Sequence, residues 1–269
     1  MKTITHKIEV KDCAKFLMMG DVHIGSPGCD ESLLQSVVKR LQEKDTYYFD
    51  LGDRCEFINT HDPRFDLSSL PKWLEIADLA DIPMAQMKRF VGFVKPSASK
   101  CLGAVEGNHE TAIKKHTDRD VYSTINSMLG LDSKVCLGTS AIVKLQFVMY
   151  GKVEWALDVF IHHGSGGGGR KSGGALNRLE ELPMAIQADV YAIGHTHKKM
   201  GKQQERLYLN NKNKLTHKPI VLINTGAFSR GFTDTDFGGY AEQSLLYPQG
   251  VGPVEVWVYP LQKEIKVVM

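Results

Sequence analysis

Short apolar runs ending in Gly or Asp punctuate the chain: FLMMGD at 16–21, YYFDLGD at 47–53, CLGAVEGN at 101–108, LDVFIHHG at 157–164 and VYAIGH at 190–195. Each predicts a buried strand running into a polar loop, since a run of this length can bury both faces and Gly or Asp favours the turn that follows. Between these runs the apolar period changes. Leu33, Leu34, Val37, Val38 and Leu41 form one stripe within 31–44, and helical patterns also cover 71–93, 111–129 and 175–187. Alternation of strand, loop and helix predicts an α/β fold. From about 189 the texture turns to strands, LYLNN, PIVLINTGAF, PVEVWVYP and KEIKVVM, which predict a second sheet. Two sheets packed face to face, with helices on their outer faces, would bury both the continuous and the alternating strands. No Pro/Ser-rich linker, heptad run or internal repeat divides the sequence, so one domain over 1–269 is expected.

Composition narrows the possibilities. The 269 residues are 42% hydrophobic and 24% charged, enough to build a full core, which excludes a disordered tail. A net charge of +2 excludes a dedicated DNA-coating protein and makes any nucleic-acid contact local. No apolar run approaches the roughly 18 residues of a membrane span, and the opening MKTITHKIEV has no apolar signal core. Five scattered cysteines with no C-x-x-C pair fit neither a disulfide framework nor a thiolate zinc site. A reducing, cytoplasmic setting is expected.

The chemistry collects where the apolar runs end. Six of the ten histidines, His23, His109, His162, His163, His195 and His197, sit at these Gly-punctuated corners. Asp21 and His23 are two apart, as are His195 and His197, so on extended backbone each pair leaves one face of the chain and can reach one ion. Asp53 follows Gly52, and Asn108, His109 and Glu110 follow Gly107. Any one block has an ordinary explanation as a capping Asp, a Gly-Asp turn or a helix cap. In this order, each at the end of an apolar run, they form a constellation of carboxylate, imidazole and amide oxygen that suits Mn²⁺, Fe or Zn²⁺.

The series Asp21-x-His23, Gly52-Asp53, Gly107-Asn108-His109-Glu110, His163-Gly164 and Gly194-His195-x-His197 resembles the calcineurin-like metallophosphoesterase superfamily, all five blocks standing in order across 21–197. The resemblance implies a four-layer αββα sandwich of two mixed β-sheets flanked by helices, with a two-metal centre at the C-terminal ends of the strands. It implies that Asp53 bridges the ions, that one ion also takes Asp21, His23 and His197, and that the other takes Asn108, His163 and His195. It implies His109 as the general acid that contacts the phosphate. His163 is preferred to His162 because the family's ligand commonly stands directly before Gly. Glu56 occupies the place where the family often has an Asp orienting the catalytic His. Two divalent ions are implied, Mn most readily, with Fe, Zn or Ni as alternatives.

Such a centre suits phosphate-ester hydrolysis, because two cations roughly 3.5–4 Å apart clamp the phosphoryl oxygens and acidify a bridging water. Arg54, beside the bridge, could donate bidentately to a phosphate oxygen. Residues 164–172, GSGGGGRKS, invite a P-loop reading, but Arg170 stands between Gly169 and Lys171-Ser172, so the Walker register fails by one residue. The loop amides with Arg170 and Lys171 are instead expected to hold a substrate phosphate beside His163. Basic residues Lys198, Lys199, Lys202, Arg206, Lys212, Lys214 and Lys218 form either a solvated hairpin or a track for a polyphosphate backbone, and the latter favours a phosphodiester or nucleic acid over a monoester. The segments INTGAFSRGF and Gly238-Gly239-Tyr240-Ala241-Glu242 give an impression of phage and bacterial metallophosphatase-like members. A phosphomonoesterase and a non-catalytic scaffold that binds a protein partner are the alternatives.

Overall fold

The computed structural model describes the chain except residues 61, 68–69, 168, 170, 233–239 and 244 and the side chains at 240 and 243. Among the described residues, two six-stranded mixed sheets form. One has the order β1 (Lys2–Glu9), β6 (Ser140–Met149), β7 (Lys152–His162), β8 (Val190–Ile193), β10 (Leu215–Asn224), β9 (Met200–Leu209). The other runs β12 (Glu264–Val268), β11 (Val254–Tyr259), β2 (Ala14–Met19), β3 (Thr46–Asp50), β4 (Cys101–Val105), β5 (Cys136–Gly138). The main helices are α1 (Glu31–Leu41), α2 (Ile82–Val94), α3 (Asn108–Thr117), α4 (Val121–Leu129) and α5 (Gly173–Ala185).

Strand alternation builds the layers. On β2, Phe16 and Met18 enter the core between the sheets with Phe49, Phe147, Val221 and Val256, while Leu17 and Met19 turn outward against Leu34 of α1, Phe90 of α2 and Ile125 of α4. On β8, Val190 and Ala192 face the inter-sheet core, whereas Tyr191 and Ile193 meet Leu179 of α5 on the opposite outer face. Helix, sheet, sheet and helix are thus stacked as four layers, and each fully buried large apolar side chain contributes about 1.5–3 kcal/mol.

Three expectations change. The stretch 71–93 is not one helix: only Ile82–Val94 is α-helical, started by Asp81, whose side chain accepts from the Met84 amide, and by Pro83 in the first turn. The stretch 111–129 is two helices, because Asp118 adopts a left-handed φ of 54° and Asp120 caps a new start by accepting from the Ser123 amide. The C-terminal strands do not make a sheet of their own. β9 and β10 complete the first sheet beside β8, while β11 and β12 extend the second by antiparallel pairing with β2.

This topology positions the polar corners. β2, β3 and β4 are parallel neighbours, and so are β7, β8 and β10 in the facing sheet. Their C-terminal ends, where the carbonyls and loops emerge, lie at one rim of the sandwich. No helix among the described residues is long and apolar enough to cross a membrane.

Candidate metal centre

The loops after those six strand ends are laced together by backbone bonds: the Asp21 amide donates to the Gly52 carbonyl (2.9 Å), the Gly194 amide to His163 (2.7 Å) and the Phe228 amide to Asp21 (2.9 Å). Asp21, His23, Asp53, His195 and His197 all have left-handed φ, from 52° to 69°. The extended-backbone argument for the two D/H-x-H pairs is therefore corrected. Their side chains converge because cross-loop bonds hold each residue in a region that non-Gly residues seldom occupy, a pattern of strain found at functional sites.

Among the described residues, three groups of donor atoms result, each with its atoms within 4.8 Å of one another: Asp21, His23 and His197; His23, Asp53 and His109; Asp53, His163 and His195. His23 Nε2 lies 3.2 Å from His197 Nε2, and His197 Nε2 lies 3.3 Å from Asp21 Oδ1. Asn108 Oδ1 lies 2.8 Å from His163 Nε2 and 2.6 Å from His195 Nδ1, which brings the amide to the third group. Asp53 Oδ2 faces His163 Nε2 at 3.2 Å and the Nε2 atoms of His23 and His109 at 3.9 Å. Its other oxygen, Oδ1, accepts the His109 amide at 2.9 Å.

Ring orientation is set from behind. His163 Nδ1 donates to the Leu51 carbonyl at 2.7 Å and His109 Nδ1 to the Glu56 carbonyl at 2.7 Å, so in both rings the proton sits on Nδ1 and Nε2 is turned toward the cluster. His162 points the other way: its Nδ1 accepts the Gly164 amide at 2.7 Å and its ring stacks beside Phe160. Nitrogen and oxygen donors converging on shared faces, with no thiolate among the three groups, are chemically a fit for divalent cations.

Electrostatics agree with cation-binding chemistry. Burial opposes ionisation of Asp53, but His163, His23 and His109 together hold its carboxyl well below the ordinary range. Burial likewise opposes charge on Asp21, where His197 and His163 lower the pKa. Burial disfavours the charged form of His163, yet Asp53 and Asp21 push its pKa up to about 9. A bound cation would supply the positive charge that these carboxylates favour.

The residues missed as contributors lie underneath. Glu110 is fully buried and its carboxylate accepts the amides of Asp53 (3.0 Å), Arg54 (2.9 Å) and Gly107 (2.9 Å), tying the loop after β3 to the start of α3. Its place three residues past Gly107 is the capping-box position, which was the available signal. Gly52, at φ 88°, and Gly107 meet across this junction: a Cβ on Gly52 would strike the Gly107 backbone, and one on Gly107 would strike Asp53 Oδ1.

Two sequence expectations are redirected. Arg54 is fully buried with its Nε donating to Asp50 Oδ2 at 2.7 Å and its guanidinium over the Tyr122 ring, so it faces away from any bound phosphate. Its Nη1 and Nη2 have no hydrogen-bond partner. Arg54→Ala is expected to cost about 3–5 kcal/mol, the usual result of stranding one half of a buried pair. Chemical denaturation measures it; an unchanged midpoint with weakened substrate binding would return Arg54 to the phosphate. Glu56 does not reach His109 with its carboxylate. Oε2 lies 3.0 Å from His23 Nδ1, and only the main-chain oxygen of residue 56 contacts His109.

The Gly-rich loop is shaped from below by Arg178, which donates to the carbonyls of Ser165 (2.5 Å) and Gly167 (3.2 Å). Arg170 lies outside the described residues, as do Gly238, Gly239 and the side chain of Tyr240. The basic stretch is largely spent within the fold: Lys199 donates to the Val251 carbonyl, Lys202 pairs with Glu180, Arg206 donates to the Tyr191 hydroxyl and Lys218 pairs with Asp189. Lys212 and Lys214 stay exposed at the turn between β9 and β10.

A family model described as calcineurin-like phosphoesterase matches residues 14–199. No curated protein sequence matches the chain. Among solved structures, the chain is similar to a conserved uncharacterized protein, a predicted phosphoesterase, from Streptococcus pneumoniae at 12% identity, covering 96% of this chain and 99% of that one with a TM-score of 0.37. It is similar to NAD nucleotidase of Haemophilus influenzae at 10% identity and a TM-score of 0.42, over 96% of this chain and 49% of that one, so it spans about half of the nucleotidase. It is also similar to a Vps29 double mutant from Entamoeba histolytica at 13% identity and a TM-score of 0.37, covering 94% and 98%.

Proposed function

The chain belongs to the calcineurin-like phosphoesterase family, and on that premise we propose that it is a dinuclear, metal-dependent phosphoric ester hydrolase whose residues 1–269 act as one domain. The observation that carries this reading is the sharing of Asp53 between donor groups at the rim. Asp21, His23 and His197 would hold one divalent cation, Asn108, His163 and His195 the other, and Asp53 both; Mn²⁺ is the ion to try first. When bound, the two cations would polarise phosphoryl oxygens and acidify water.

The chain's own groups supply the rest. His109 carries a fixed proton on Nδ1 through the Glu56 carbonyl and turns Nε2 to the cluster, where it delivers a proton to the departing ester oxygen. The buried Asp53 and Asp21 stay ionised and keep the face negative, a recipient for cations rather than for a bare phosphate. A phosphodiester is the substrate class proposed, held beside His163 by the Gly-rich loop and Lys171, with the basic hairpin no longer an argument for a long polyanion.

Chromogenic nitrophenyl phosphodiester and monoester substrates with added Mn²⁺ test this. Metal-dependent turnover with the diester preferred is expected. Preference for the monoester would correct the substrate class, and no turnover of either, or of nucleic acid, would leave a non-catalytic scaffold as the reading.

A further inference from the structure

Glu56 stands between two imidazoles and offers each a different group. Its carboxylate Oε2 lies 3.0 Å from His23 Nδ1, and its main-chain oxygen accepts His109 Nδ1 at 2.7 Å. Both side chains of the first contact are removed from water, with 6% of His23 and 19% of Glu56 exposed. The two rings stand edge to face with centroids 4.7 Å apart. His23 Nδ1 makes no hydrogen bond of good geometry to any described group; the Glu56 carboxylate, at ion-pair distance, is the acceptor it faces. On the far side of the same ring, Nε2 lies 4.0 Å from Asp21 Oδ1, 3.9 Å from Asp53 Oδ2 and 3.2 Å from His197 Nε2.

A ring held in this way has its two nitrogens sorted. A carboxylate behind Nδ1 keeps the proton there, leaves the Nε2 lone pair for a cation and makes that lone pair more basic. A main-chain carbonyl, by contrast, survives any side-chain substitution at its own residue. We propose that Glu56 is a positioning residue for the centre whose carboxylate serves the cation ligand His23, while the aim of His109 is set by the main chain of residue 56 and is independent of the carboxylate.

This rests on the two-cation reading of the site and adds to it a division of labour within one residue. The carboxylate faces His23 from α-helix-free loop backbone after Cys55, whose amide neighbour at 56 donates to the Ile24 carbonyl at 2.9 Å, so the segments bearing Glu56 and His23 are also joined through their main chains.

The test compares Mn²⁺ binding by the native chain, Glu56→Gln and Glu56→Ala, by competition against a chromophoric chelator, with turnover on diesters of good and poor leaving groups. Glu56→Ala is expected to weaken one of the two ions by about 10–100-fold and to leave the other near its native affinity. Glu56→Gln, which keeps an acceptor oxygen but loses the charge, should fall between Ala and native. The ratio of rates for good and poor leaving groups should stay native in both variants. Unaltered affinity for both ions, equal weakening of both, or a widened leaving-group ratio would overturn the assignment and return the carboxylate to His109 or to a purely structural role. Absence of Mn²⁺ binding by the native chain would instead overturn the two-cation reading, and this inference with it.

Discussion

If the native chain binds two divalent cations as proposed, Asp53→Asn is expected to bind one, with an affinity loss for the second beyond the roughly 100-fold that removing the partner of a metal ligand costs. Asp53 is the residue shared between the group containing His163 and His195 and the group containing His23 and His109. Its Oδ2 is the oxygen turned to three imidazoles, while Oδ1 is engaged by the His109 amide. Asn keeps a carbonyl oxygen for that amide but puts an NH2 group, a donor only, in place of Oδ2, so the variant removes the shared donor atom and its charge while keeping the structural bond. Without that charge, the carboxylate proposed to lie between the two cations no longer offsets their mutual repulsion. Mn²⁺ titration of Asp53→Asn beside His197→Asn, which touches one group alone, measures the difference. Two-ion binding by Asp53→Asn at native affinity would reject the shared role.

His109→Asn is expected to keep both ions and to lose about 10²–10⁴-fold in kcat, the usual contribution of a general acid. The backbone at 108–110 serves two masters: Asn108 faces His163 and His195, while the adjacent His109 side chain turns to Glu56 and Asp53. Its Nδ1 proton is fixed, which leaves Nε2 to deliver one. The loss should shrink for nitrophenolate, a leaving group that needs little protonation, and should be full for an alkyl alcohol. Because His109 also belongs to one of the donor groups, metal content is measured on the same samples. Loss of an ion, or an equal loss of rate for both leaving groups, would make His109 a ligand or a phosphate anchor.

These two predictions and the Glu56 test separate roles that sit within one cluster. Asp53→Asn moves cation stoichiometry, His109→Asn moves the leaving-group dependence, and Glu56→Ala moves the affinity of a single ion. Arg54→Ala, acting below the site, moves the stability of the fold.

The layered fold was legible because burial writes itself into local pattern: FLMM and VYAI can satisfy neighbours on both faces only in an interior strand, and the Leu34, Val37, Val38, Leu41 stripe only on a helix packed to one side. Where local pattern misled, local capping had overridden it. Asp81 and Pro83 begin α2 eleven residues after the apolar stretch begins at 71, and Asp118 with Asp120 breaks 111–129 in two. The assignment of β11 and β12 to the sheet of β2 involves pairing across more than two hundred residues, which periodicity does not encode.

The sequence by itself determined the two sheets with covering helices and the residue types gathered at the strand ends, since Gly, Asp and His after apolar runs are short-range features. Only the tertiary structure decided the directions of those side chains. Left-handed φ at Asp21, His23, Asp53, His195 and His197 is imposed by bonds between loops that come from different strands, so an argument from extended spacing reaches the right neighbours through the wrong backbone. The same long-range packing sends Arg54 inward to Asp50, gives Glu110 the amides of another loop, and turns the Glu56 carboxylate to His23 rather than His109. A carboxylate's partner is a matter of a few ångströms between chain segments far apart in sequence, and that distance exists only once the sheets have packed.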